Sequence, residues 1–309
     1  MEYSNSETSP ETPKALSVLS VLLILAGFVI VGSALSPVIL AIFGIELTDI
    51  TNAISSTTFN RQNQMLIIAV QIIAATLSYI IFPLLYIFFF KPDLKKVFKA
   101  PSRNFLVYAA LALLLVFAIM PFISWLAEMN QAIKLPASLK GVEDWMRESE
   151  SQAERVMKNI IFYTSTIDFF IILFVIAVLP AIGEELLFRG LVQNELLKAL
   201  KNPHVAIFLT GFLFSFIHFQ FYGFFPRMLL GVVFGYFYYW SGNLWVPIIM
   251  HFVFNGFNYI LMNLNHSGTL ELDVENMSVP FWLVVVSVLL SGIIVFYFRK
   301  TALYSNQVG

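Results

Sequence analysis

Polar residues recur at helical spacing in three stretches that are otherwise hydrocarbon. Glu184 and Glu185 open the run Glu184-Glu185-Leu186-Leu187-Phe188-Arg189. His218 closes Phe214-Ser215-Phe216-Ile217-His218, and His251 and Asn255 stand four apart in His251-Phe252-Val253-Phe254-Asn255. A charged group at the centre of a membrane helix costs roughly 2.5–3.5 kcal/mol on insertion scales, so three kept together point to use. The bland alternative is a helix end at the water interface. On a helix, Glu185 and Arg189 share a face and can pair. Glu184 points about 100° away and has no such local partner. Glu185 with Arg189 therefore reads as structural and Glu184 as catalytic, unless both glutamates only pair with basic residues elsewhere. A lone buried histidine such as His218 is more often a satisfied core residue than a catalyst. A histidine and an amide on one face of an apolar helix are less easily dismissed. Together the stretches offer a carboxylate base, two imidazoles and an amide, a constellation for activating a water and holding an oxyanion.

The elements that must position these groups are membrane helices. The chain has 309 residues, 59% of them hydrophobic and 12% charged, with a mean hydropathy of +0.81. Soluble domains carry about 25% charged residues. The composition is that of an all-α polytopic membrane protein. A net charge of −1 and the lack of a basic cluster give no hint of nucleic-acid binding. With no cysteine, thiolate metal sites, disulfides and cysteine nucleophiles are excluded.

Residues 1–14 form a polar tail that reads as disordered. Residues 15–300 read as one transmembrane domain and 301–309 as a short tail. About eight spans are expected, at Leu16–Phe43, Met65–Phe90, Phe105–Leu126, a fourth from near Ile160 or Ile167 through Pro180, Ala206–Phe219, Pro226–Trp240, Trp245–Leu264 and Val279–Phe298. Residues 45–64 read as a loop, 91–103 as a basic loop and 265–278 as an acidic one. The long polar segment 128–158 is either loop or amphipathic surface helix. With the amino terminus inside, inner segments hold eleven of the eighteen lysines and arginines. Both termini are then expected in the cytoplasm. His204 and His266 read as surface residues. Gln71, Asp168, Gln193 and Asn194 read as helix contacts or boundary residues. There is no His-Glu-x-x-His, no Gly-x-Ser-Gly, no Gly-x-Gly-Asp and no phosphate-binding glycine loop.

Read in order, Glu184-Glu185-x-x-x-Arg189, Phe214-x-x-x-His218 and His251-x-x-x-Asn255 resemble the motifs of the CAAX protease and bacteriocin-processing (CPBP, or Abi) family. The resemblance covers about residues 160–265, the expected catalytic core. It implies an intramembrane endopeptidase in a bacterial cytoplasmic membrane, with a membrane-associated peptide or lipidated protein as substrate and lipid as surroundings. By motif position, Glu184 and His218 would activate water, and His251 with Asn255 would stabilise the oxyanion. The family is often classed as metalloprotease. Glu184, His218 and His251 could bind Zn2+, or a glutamate-activated water could work without metal. The alternative function is a non-catalytic scaffold or bacteriocin-immunity protein on the same fold.

The groups can act together only at one depth. His218 is fourteen residues from His204, about 21 Å of helix. Glu184 matches it only if the fourth helix runs on to Lys198. His251, eight residues from Asn243, is about 12 Å in. It reaches the others only if the turn at Ser241-Gly242-Asn243 lies below the surface. A separation of Glu184 and His251 beyond about 10 Å would exclude a shared water.

Overall fold

A computed structural model describes residues 14–56, 60–90, 104–161, 165–266 and 278–308. The expected tail up to residue 13, the basic segment 91–103 and most of the acidic loop lie outside those residues. Among the described residues there is no strand. The helices are α1 (Ser17–Ile42), α2 (Leu47–Ser55), α3 (Arg61–Phe90), α4 (Phe105–Gln131), α5 (Lys140–Ile161), α6 (Thr166–Leu200), α7 (Pro203–Phe216), α8 (Phe224–Ser241), α9 (Trp245–His266) and α10 (Phe281–Val308). Six of them, α1, α3, α4, α6, α9 and α10, are long and apolar enough to cross a membrane. Leu22, Phe88, Leu106, Phe170 and Leu289 stand exposed on their outer faces, where only lipid can cover them. This is an integral membrane protein.

The other two expected spans are shorter. α7 has 14 residues and ends at Phe216, so His218 lies past the helix and not inside the span. Ile217 and His218 still turn back onto it through N–H bonds to Leu213 and Ser215. The 45–64 segment differs from expectation as well, because it contains α2. Glu46 and Asp49 form a reciprocal capping box at its start, a local signal that a loop reading passes over. The 128–158 segment resolves into α5, amphipathic and polar on its outer side. α10 continues through Arg299, Lys300 and residues 301–308 as helix.

α6 is the axis of the fold. Its 35 residues form one continuous helix, and every residue from 183 to 193 is buried. Ser165 caps its start by accepting the Asp168 N–H at 3.2 Å. The Asp168 carboxylate also pairs with Arg61 at the head of α3. Two wide π turns, Phe174–Val178 and Leu186–Gln193, bracket Pro180 and the two glutamates. Around α6 pack α1, α3, α7, α8 and α9. α4 and α10 pair with each other and back onto α8 and α9. The turn after α8, with Gly242 in the left-handed region (φ 59°), buries Asn243 and Leu244. Leu244 joins the cluster that holds Leu191 and Leu196 of α6.

Candidate active site

Glu185 and Arg189 point to the sealed side of α6. Both side chains are 0% exposed, and Arg189 Nη1 donates to Glu185 Oε1 at 2.7 Å. A cation alone in a dry interior is costly, so its remaining surroundings matter. Arg189 Nη2 donates to the Gly231 carbonyl of α8 at 2.7 Å. The guanidinium lies between the rings of Phe214 and Phe234, 5.1 and 5.6 Å from their centroids, in cation–π contact. One turn on, Gln193 Nε2 donates to the Gly235 carbonyl at 3.0 Å. Glycine is needed at 231 and 235 for this approach. A Cβ on Gly231 would stand 3.0 Å from the Gly211 Cα, and one on Gly235 2.8 Å from Gln193 Oε1.

Glu184 points to the other side, as the helix turn dictates. Its Oε1 lies 3.9 Å from His218 Nε2 and its Oε2 3.9 Å from His251 Nε2. These gaps are too long for direct hydrogen bonds and suit one water shared by all three. The far nitrogens of both rings are already committed. His218 Nδ1 meets the Phe214 carbonyl at 2.7 Å. A carbonyl only accepts, so this nitrogen carries the proton and Nε2 turns its lone pair to Glu184. His251 Nδ1 meets Glu185 Oε1 at 2.9 Å, so Glu185 accepts from both Arg189 and His251. The structural pair thereby orients one ring of the Glu184 cluster. The glutamate side chain is 10% exposed and that of His218 24%, so this side is the more open one.

Asn255 stands apart from the cluster. One turn beyond His251 on α9, it donates to the Ile176 carbonyl of α6 at 3.1 Å. It is four residues from His251, about 6 Å of helix. The chain thus brings Glu184, His218 and His251 together, with Asn255 one turn further along α9.

The loop that carries His218 is built with care. Phe219 takes φ 52°, an uncommon conformation for a bulky residue and a local strain. Asn130 of α4 pins the loop by donating to the Phe221 carbonyl and accepting the Phe225 N–H, both at 2.8 Å. α5 lies across it: Trp145 packs on Phe221 at 5.1 Å, and Glu150 accepts the Tyr222 N–H at 3.3 Å. Partial burial pushes the Glu150 carboxyl above the usual glutamate range. Arg227 of α8 donates to Gln220 Oε1 at 2.6 Å and lies within electrostatic reach of Glu184. It is an arginine inside Phe225-Pro226-Arg227-Met228-Leu229, so the rule that flags Glu184 would have found it. Tyr79 of α3 had no such signal. It sits against Gly183, where a Cβ would come within 2.6 Å of its own, and lines an apolar cavity of about 360 Å3 shared with Phe28, Ile54 and Ile67.

The donor types at Glu184, His218 and His251 are those zinc takes, with both Nε2 lone pairs turned inward. Their spacing is not: bonds of about 2.0 Å set tetrahedral donors roughly 3.3 Å apart, against 3.9 Å for each histidine. Among the described residues no group of three such side chains is placed to hold a metal ion.

Residues 166–257 match the Rce1-like family of type II CAAX prenyl endopeptidases. That segment holds all three motifs, so the resemblance read from them stands over these residues. Among individual proteins, the membrane-embedded CAAX protease MroQ of Staphylococcus aureus (strain USA300) is 33% identical over 101 residues. The match covers 31% of this chain and 40% of the relative's length. No solved structure matches.

Proposed function

We propose that the protein is an intramembrane endopeptidase that hydrolyses a peptide bond with a water held by Glu184, His218 and His251. The observation that carries this reading is the pair of 3.9 Å gaps around Glu184, with both imidazoles turned to it by their own hydrogen bonds. Glu184 takes a proton from the water as its oxygen attacks the scissile carbonyl. His218 Nε2 accepts the water's second hydrogen bond and fixes its direction. His251, whose Nδ1–H is held by Glu185, faces the other oxygen of Glu184, on the side where the oxyanion forms. The C–N bond then breaks, and the departing amine takes the proton from Glu184.

The apolar cavity beside Tyr79 supports a membrane peptide or lipidated protein as substrate. The basic residues support a cytoplasmic-membrane location with both termini inside. The test compares membrane-protein termini in cells that carry the wild-type chain or Glu184→Ala. New termini that depend on Glu184 are expected. Identical sets of termini would leave a scaffold or immunity role.

A further inference from the structure

We propose that Arg227 is a specificity residue: its guanidinium receives a carboxylate of the substrate close to the bond that Glu184 attacks. The inference rests on the catalytic reading of Glu184 given above. Arg61, Arg147, Arg155 and Arg189 each pair with a carboxylate. Among the described residues Arg227 bonds only neutral oxygens, the Gln220 carbonyl at 3.3 Å and Gln220 Oε1 at 2.6 Å. It is half-buried, and a cation drawn out of water is costly without an anion beside it. Two of the five guanidinium N–H groups are spent on Gln220 and three remain. Those suffice for the two parallel bonds that a carboxylate takes from an arginine.

The position of Arg227 points to a substrate group. Glu184 and Glu150 both lie within its electrostatic reach, yet neither forms an ion pair with it among the described residues. Glu150 is turned to the Tyr222 N–H, and Glu184 to the two imidazoles. The guanidinium is held by the loop that carries His218. Gln220, which fixes it, comes two residues after His218, and Gly223 leaves room for it, since a Cβ there would stand 3.2 Å from Nη2. Asn130 pins the same loop. The imidazole that directs the water and the free cation are thus set by one short segment. A peptide laid with its scissile carbonyl against Glu184 advances roughly 3.4 Å per residue. A carboxylate within about three residues of the bond therefore comes into range of Arg227. Without that cation, Glu184 would repel it. A chain terminus and an acidic side chain both offer the group.

The test uses the full chain in liposomes and fluorogenic peptides that span a junction found by the comparison of termini. The peptides come in two matched pairs. One pair ends shortly beyond the bond in a free carboxylate or in an amide. The other is amidated and carries Glu or Gln at that last residue. The wild-type chain is expected to cleave the acidic member of one pair about 10-fold better in kcat/KM than its neutral match, with the difference in KM. The pair that shows it tells a chain terminus from a side chain. Arg227→Gln is expected to bring the ratio to one or below, and Arg227→Lys to keep part of it. Loss of the loop clamp alone lowers both members of a pair alike and leaves the ratio intact. An unchanged ratio in Arg227→Gln would therefore overturn the proposal, as would ratios near one for both pairs in the wild type. Hydrogen exchange over residues 217–227 reads binding without cleavage. The acidic peptide is expected to slow exchange there more than its neutral match does in the wild type, and not in Arg227→Gln. Equal protection would overturn the proposal even if no peptide is cut. Selective protection without cleavage would sink the peptidase reading and leave the carboxylate subsite standing.

Discussion

Glu184 and Glu185 are neighbours in the chain, yet they occupy two different kinds of interior. On the Glu185 side of α6 the space is sealed. Carboxylate and guanidinium are 0% exposed, and glycine carbonyls and two aromatic rings complete the enclosure. On the Glu184 side the carboxylate faces two imidazoles, each at 3.9 Å, and a partly exposed loop. A turn of about 100° between consecutive residues suffices to separate a locked charge from a usable one. The two sides are joined at His251, whose ring is held by Glu185 and turned to Glu184.

The largest expected effect separates the two roles. Glu184→Gln should lower peptide cleavage about 1,000-fold with little change in the thermal midpoint, since the group has no close partner to lose. A variant that loses its fold along with its activity would erase the distinction between the sides. Next comes the sealed side. Arg189→Met leaves Glu185 buried without its cation, and a cost of about 3–5 kcal/mol in unfolding free energy is expected. Denaturation in mixed micelles measures this, and a loss below about 1 kcal/mol would mean that water reaches the pair.

The smallest effect belongs to the cover of the open side. The Glu150 carboxyl is raised by burial against the Tyr222 loop, so the folded chain holds its proton to higher pH than the unfolded chain does. Its contribution to stability is greatest below the ordinary glutamate range and is lost as pH rises through the raised value. Glu150→Gln should flatten this slope just above the ordinary glutamate range, and only slightly, given its exposure. An unchanged slope would show that α5 is held to the loop by Trp145 and its neighbours alone.

Much of this was readable from the chain because charge stands out against hydrocarbon. The motif residues, the opposite facing of the two glutamates and the length of α6 all follow from position and helix geometry. The condition set by the depth argument, Glu184 close to His251, is met at 3.9 Å. What escapes it depends on partners distant in sequence. Nothing near Asn255 says that its amide faces a carbonyl 79 residues away, and nothing near Tyr79 places it against Gly183. His218 looks like a helix residue because the residues before it from Phe212 to Ile217 are apolar but for Ser215. Only the packing of α8 and the pinning of its entry by Asn130 show why the helix stops first.

The early end of α7 has a further consequence for the surrounding lipid. Fourteen residues span roughly 21 Å, while a bilayer's hydrocarbon is about 30 Å thick. Hydrophobic mismatch of this size is relieved where lipid thins or polar groups draw water down. The His218 loop, with Gln220, Arg227 and the amphipathic α5 over it, stands at that shortfall. Water drawn to that loop lies beside the more open face of Glu184, next to His218.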